Sequence, residues 1–245
     1  MRTPPQPPRG PTPPRGPTPP PRGPTPPPRG PTPPPRAPAA ARPAPPKAAP
    51  RKPPRKLPAW LARARNLLLN PSQEWTAIAG EFTTAGPIYG RYLVPLVAIG
   101  PVAGTVGSLV FGVRSTLAGT YKMAALDALT DGVLQYLLGL VGVYVLALVI
   151  DILAPTFSGQ RNQVQALKVA AYASTPYWVG GIFSLIPKLS PLGLVVGLYS
   201  IRLFAGGLPQ VMKAPRDKVG AYTLIVVIAG VLIGLLTRAI PDIFI

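Results

Sequence analysis

The sequence predicts an all-α, polytopic membrane protein: a five-transmembrane-helix bundle preceded by a disordered Pro/Arg-rich N-terminal tail. Three observations carry this. Of 245 residues, 47% are hydrophobic and only 13% charged, against about 25% charged in an average soluble domain. Of the 38 prolines, 27 are crowded into the N-terminal quarter, with most of the +18 formal charge. Beyond residue 90 the charges are sparse and evenly spaced, leaving apolar windows long enough to cross a bilayer.

Residues 1–56 read as a disordered cytoplasmic tail. The unit RGPTPP begins at Arg9, and RGPTPPP at Arg15, Arg22 and Arg29. Proline fixes φ and lacks an N–H, which excludes helix and central strand and leaves polyproline II with a solvated backbone. At ~3.1 Å per residue the repeat spaces its arginines by roughly 22 Å. That suits weak, multivalent contact with an anionic surface, such as anionic lipid headgroups. A solvated extension that helps set membrane orientation, or a PxxP ligand for a protein partner, are the other readings. Nucleic acid is not an expected partner, because no aromatic residue precedes Trp60 to stack on a base. A cleaved signal peptide is not expected either, since no apolar segment lies near Met1.

Five spans follow from the charge spacing, at about 92–113, 132–151, 169–187, 190–207 and 220–237 within a transmembrane domain of 91–245. The charges flanking them are Arg91 and Arg114, Asp131 and Asp151, Lys168 and Lys188, Lys188 and Lys213, and Lys218 and Arg238. The windows lack period-2 alternation, so helices rather than a barrel are expected. With the tail cytoplasmic, 20 of the 25 basic residues fall inside and 4 outside, with Arg202 within the fourth span. The positive-inside rule therefore puts the N-terminus in and the C-terminus out. Tyr89, Tyr92, Tyr222, Trp60 and Trp75 are expected at headgroup level.

Residues 57–90 read as an amphipathic, interfacial helical segment, its first helix either lying in the membrane plane or docked on the cytoplasmic end of the bundle. Trp60, Leu61, Ala64, Leu67 and Leu68 share one helical face, with Arg63 and Arg65 towards the other. A second helix starts with Asn70 as N-cap and Pro71 at the first position, and runs to about Thr84. Trp75, Ile78 and Phe82 form its apolar stripe, and Glu74 and Glu81 lie seven apart on one face. Glu74 suits the helix dipole; Glu81 is solvated, pairs with Arg91, or binds a basic partner.

Chemistry is restricted by what is missing. There is no cysteine and no histidine, hence no thiolate nucleophile, no Ser-His-Asp triad and no imidazole metal ligand. No phosphate-cradling glycine loop is present. No cofactor, metal or enzymatic activity is expected. Asp127 and Asp131, spaced i, i+4, balance nearby cations or hold a hard one. Arg202 and Asp151 sit at similar depth and are expected to pair, or Arg202 snorkels. The run Ala205–Pro209 should end the fourth span. Three GxxxG pairs, Gly100/Gly104, Gly193/Gly197 and Gly230/Gly234, allow close packing within the bundle or, less readily, a homo-oligomer.

Four blocks in order, NPSQEWTAIAGE, Tyr92 with Pro95, AAYASTPYWVGGIFSLIP and LYSIRLFAGGLPQVMKAPRDKVGAYT, resemble the Yip (Ypt-interacting protein) domain family over about 70–240. The resemblance implies five transmembrane helices with a cytoplasmic N-terminal region. It also implies a family associated, in eukaryotes, with Rab-type GTPases and membrane shaping. The tail composition looks bacterial, which points to an inner-membrane protein. Positions matching the pattern are Trp75, Glu81, Pro95, Tyr172, Pro176, Tyr199, Gly207, Pro209 and Asp217. The resulting expectation is a non-enzymatic membrane protein that organises the bilayer or recruits an unknown protein at its cytoplasmic face, through the pre-span helix, Glu81 and the tail. The alternative is a small transporter or channel component, pointed to by Pro176, the broken fourth span, Arg202 and Asp151.

Overall fold

The computed structural model describes residues 57–115, 119–122 and 124–240. The tail readings for 1–56 lie outside the described residues. Two short helices come first, α1 (Ala59–Leu69) and α2 (Pro71–Gly80). The first long helix, α3, spans Ala85–Phe111. It contains a π turn at Tyr89–Leu93 and an interruption at Ala98. Pro95 and Pro101 account for both. Each lacks an N–H for the carbonyl four residues earlier, Arg91 and Val97, and the ring pushes that carbonyl aside. Gly112, at φ 78°, turns the chain out of α3. A two-stranded antiparallel hairpin follows, β1 (Val113–Ser115) and β2 (Gly119–Tyr121), with Arg114 opposite Thr120. The apolar periodicity of the sequence gave no sign of it.

Helix α4 (Ala125–Leu153) returns along α3. Next come α5 (Gln163–Ala173), α6 (Thr175–Gly180) and a 3-10 turn at Gly181–Leu185. Helix α7 (Pro187–Val211) is interrupted at Leu198, and α8 (Val219–Ala239) completes the bundle. Among the described residues four helices, α3, α4, α7 and α8, are long and apolar enough to span a membrane. Their outer faces carry exposed leucine, valine and isoleucine, for example Val102, Val106, Leu137, Val141, Leu194, Leu198, Leu224 and Leu235. Such a belt is unfavourable in water and suited to lipid.

The expected third span, 169–187, differs. It is not one apolar helix but the broken series α5, α6 and 3-10 turn, and it does not meet the length and composition of a span. Two physical reasons combine. Pro176 breaks the helix after Ser174. Residues 166–176 are all buried, so the segment touches protein where the other spans touch lipid, and selection for apolarity is relaxed. Its path is nevertheless parallel to α3. Tyr92 meets Tyr172 and Thr175, Gly100 lies against Gly181, and Gly107 against Ser184 and Leu185. Helix α7 then runs antiparallel, with Gly193 on Gly180 and Gly197 on Tyr177.

Other boundaries shift as well. Helix α3 begins at Ala85, ahead of the window expected from 92, and the second helix stops at Gly80 rather than near Thr84. Phe82 therefore leaves the stripe and is fully exposed, while Trp75 and Ile78 are buried. Asn70 precedes α2, but its side chain makes no capping bond; Pro71 occupies the first turn as expected. The run Ala205–Pro209 does not end α7, which continues to Val211 with Pro209 inside it. Proline there removes one bond close to the helix end, where few bonds remain to lose. Tyr92 and Tyr222 are core residues, not interfacial ones. All six glycines in GxxxG pairs lie against neighbouring segments of this chain: Gly100 on Gly181, Gly104 on Ser184, Gly193 on Gly180, Gly197 and Gly234 on Tyr177, and Gly230 on Leu146.

Candidate functional site

The functional candidates converge at the end of the bundle covered by α1 and α2. Trp75 is the anchor. It is 1% exposed, and the benzene edge of its indole lies over Gly207 so closely that a Cβ there would sit 2.7 Å from the ring. Glycine at 207 is thus a steric requirement for docking α2 against α7. Tyr199 on α7 donates its hydroxyl to the Leu68 carbonyl at 3.3 Å. That carbonyl belongs to the last turn of α1, which has no partner within its own helix.

Lys168 performs the same service for α2. Only 1% exposed, its ammonium donates to the carbonyls of Ile78, at 3.1 Å, and Glu81. A cation at a helix C-terminus also favours the dipole. Burial holds the Lys168 ammonium below the ordinary lysine range; the Glu81 carboxylate opposes that shift and the Arg63 charge adds to it.

Arg63 closes the site. Its guanidinium contacts Glu81 at 2.9 Å and Glu74 at 3.5 Å, and stands 5.4 Å above the Tyr172 ring. Glu81 thus pairs with Arg63 rather than Arg91. Three elements, α1, α2 and α5, are thereby joined by one charge cluster with an aromatic floor. Beneath it, Tyr172 packs edge-on against Tyr92 with centroids 4.8 Å apart. Pro176 deprives the Tyr172 carbonyl of its helical donor, and the Thr175 hydroxyl replaces it at 2.6 Å. Thr175 has one proton and spends it there, so Tyr92 must donate to Thr175 across their 2.7 Å contact. Tyr92, Tyr172, Thr175 and Pro176 thus act as one repair of a broken helix.

Three candidates lie elsewhere. Asp151 is buried but pairs with Arg161, at 3.2 Å, and not with Arg202. The chain after α4 turns back sharply and brings Arg161 to it, a proximity invisible in span-by-span depth. Arg202 is exposed and lines a surface groove beside Trp75. Asp217 is exposed in the turn before α8. Asp127 and Asp131 lie in the first two turns of α4, where Asp131 accepts from Gln135 and Asp127 is exposed. Arg63, Lys168, Tyr92 and Thr175 were the residues missed. Charge inside an otherwise buried helix was a signal for Lys168; Arg63 gave none, being one of fourteen basic residues before the first span.

The Yip1 domain model matches residues 65–237, most of the chain. The chain belongs to the Yip1 domain family. With its four apolar spanning helices, it is a multi-pass integral membrane protein of that family. Neither a search of curated proteins nor one of solved structures found a match. The Yip1 domain match begins inside α1, so the charge cluster of Arg63, Glu74, Glu81 and Lys168 lies almost wholly within it. It also covers Trp75, Gly207, Tyr172 and Pro176, whose contacts give those positions structural roles.

Proposed function

We propose that this Yip1-domain protein is a non-enzymatic organiser of the membrane that recruits a protein partner on its capped, cytoplasmic face. One observation carries the reading. Glu81 is held by Arg63 through its side chain and by Lys168 through its backbone. The next residue, Phe82, is fully exposed in the short stretch between α2 and α3. A rigidly held exposed aromatic is a typical interface anchor. The basic residues on the same end, Lys213, Arg216 and Arg161, support a cytoplasmic assignment, in a bacterial inner membrane. The test is photo-crosslinking in native membranes from position 82 and from the tail, for wild type and Glu81→Ala. A discrete protein adduct at position 82 that disappears in the variant supports recruitment. Lipid adducts alone, unchanged by the variant, would turn the reading to membrane shaping.

The reading includes five crossings. The α5–α6 series keeps pace with α3 from Tyr92 to Gly107, which supports a crossing by 169–185, buried in protein up to Pro176 and partly exposed beyond it. A transport role draws support from the interruptions at Ser174 and Leu198, since broken helices frame solute sites in transporters. The Arg202–Asp151 pair that would have served it is replaced by Arg161–Asp151. Homo-oligomerisation through the GxxxG pairs is the weaker part of the reading, because all six of these glycines already face this chain.

A further inference from the structure

We propose that the groove between the start of α2 and the Arg202 face of α7 binds the phosphate of one anionic phospholipid. The groove encloses about 260 Å³ and is lined by Pro71, Ser72, Trp75, Arg202, Gly206 and Gln210, with Ala205 at its side. No acidic residue lines it. Arg202 supplies a planar, permanently charged donor suited to phosphate oxygens. The side-chain amide of Gln210 contacts the Thr76 hydroxyl at 3.2 Å, and that hydroxyl gives its proton to the Ser72 carbonyl at 3.0 Å; even with the amide turned to donate to Thr76, one of its two N–H groups remains for a ligand. Helix α2 begins at Pro71 without a side-chain cap, so the Ser72 and Gln73 amides are first-turn donors with no helical acceptor.

A separate observation points to a ligand. The indole Nε1 of Trp75 is buried and has no hydrogen-bond partner. The pyrrole edge that carries it faces Gly206, which lines the groove, whereas the benzene edge packs on Gly207, which does not. An unpaired N–H thus lies on the groove side, and buried donors of this kind are rarely left unmet. The source of the anion follows from what lies beside Arg202. Leu194, Val195, Leu198 and Ile201 are exposed along the preceding turns of α7. A phosphate at Arg202 would have an acyl-chain surface running directly from it, as a lipid needs and a free phosphate does not.

Native mass spectrometry of the full chain in detergent tests this. Wild type and Arg202→Ala are titrated with dioleoylphosphatidylglycerol and, separately, dioleoylphosphatidylcholine. The tail is present in both proteins, so its own lipid contacts cancel in the comparison. Wild type should retain one phosphatidylglycerol more tightly than phosphatidylcholine. Arg202→Ala should weaken that retention about tenfold, the factor for one lost charge-assisted contact. Gln210→Ala should weaken it less, and Arg202→Ala should keep the wild-type melting temperature, since Arg202 is exposed. Equal retention by wild type and Arg202→Ala, or no preference for phosphatidylglycerol, would overturn the proposal. Displacement of the retained lipid by millimolar inorganic phosphate would assign the groove to a soluble anion and overturn the lipid source.

Discussion

At the scale of single residues, two side chains decide how α2 seats on the bundle. Trp75 needs the absence of a side chain at 207. Gly207→Ala should lower stability by about 1–3 kcal/mol, the usual cost of overpacking a filled core. Gly86, with nothing within reach of an added Cβ, is the control: Gly86→Ala should leave the melting temperature in detergent nearly unchanged. Thr175→Val removes the donor to the Tyr172 carbonyl and the acceptor for Tyr92 together. Two buried groups left unpaired should cost about 1–3 kcal/mol each at most, read in the same melting experiment. Trp75 and Tyr172 were legible as family positions. Gly207, the partner of Trp75, was legible in the same way, but the role of Thr175 was not, because a hydroxyl that repairs a proline break leaves no periodic trace in the sequence.

At the scale of elements, α1 and α2 are short, and their order depends on tertiary ties rather than intrinsic helicity. Lys168 and Arg63 provide those ties. Lys168→Met keeps the volume but leaves two carbonyls without a charged donor. The expected result is faster amide exchange across 71–84 and new protease cleavage near Phe82, with the spans unchanged. Protection equal to wild type would mean that Trp75 alone holds the cap. The sequence showed two helices before the first span because Pro71 and the apolar spacing are local signals. It did not show the clamp, since residues 63, 81 and 168 become neighbours only through the fold. The early end of α2 at Gly80 has a local cause: Gly80 is a weak helix former, and the Lys168 ammonium takes the carbonyls that further helix would use.

At the scale of the whole molecule, charge spacing located four spans because hydrocarbon excludes charge regardless of the neighbouring helix. It could not describe the fifth segment, whose environment is protein. Crossing number is directly measurable, since the chain has no native cysteine to remove. Single cysteines at exposed Lys122, Arg161, Lys188 and Arg216 should label in two groups. Five crossings put 122 and 188 on one side of the membrane, and 161 and 216 on the other. Labelling of 188 together with 161 would show that the broken segment re-enters without crossing.

Burial of residues 166–176 on every side also bears on biogenesis. A segment carrying Lys168, Ser174, Thr175 and Pro176 has little drive to leave the translocon for lipid by itself, because insertion is scored on apolarity at the moment of exit. Its neighbours α3 and α4 are synthesised first and α7 last, so its lodging place is incomplete until α7 arrives. Nascent chains truncated at Lys188 should therefore hold this segment loosely, and chains extended past Val211 should hold it firmly. The late helix would act as the chaperone of the one before it.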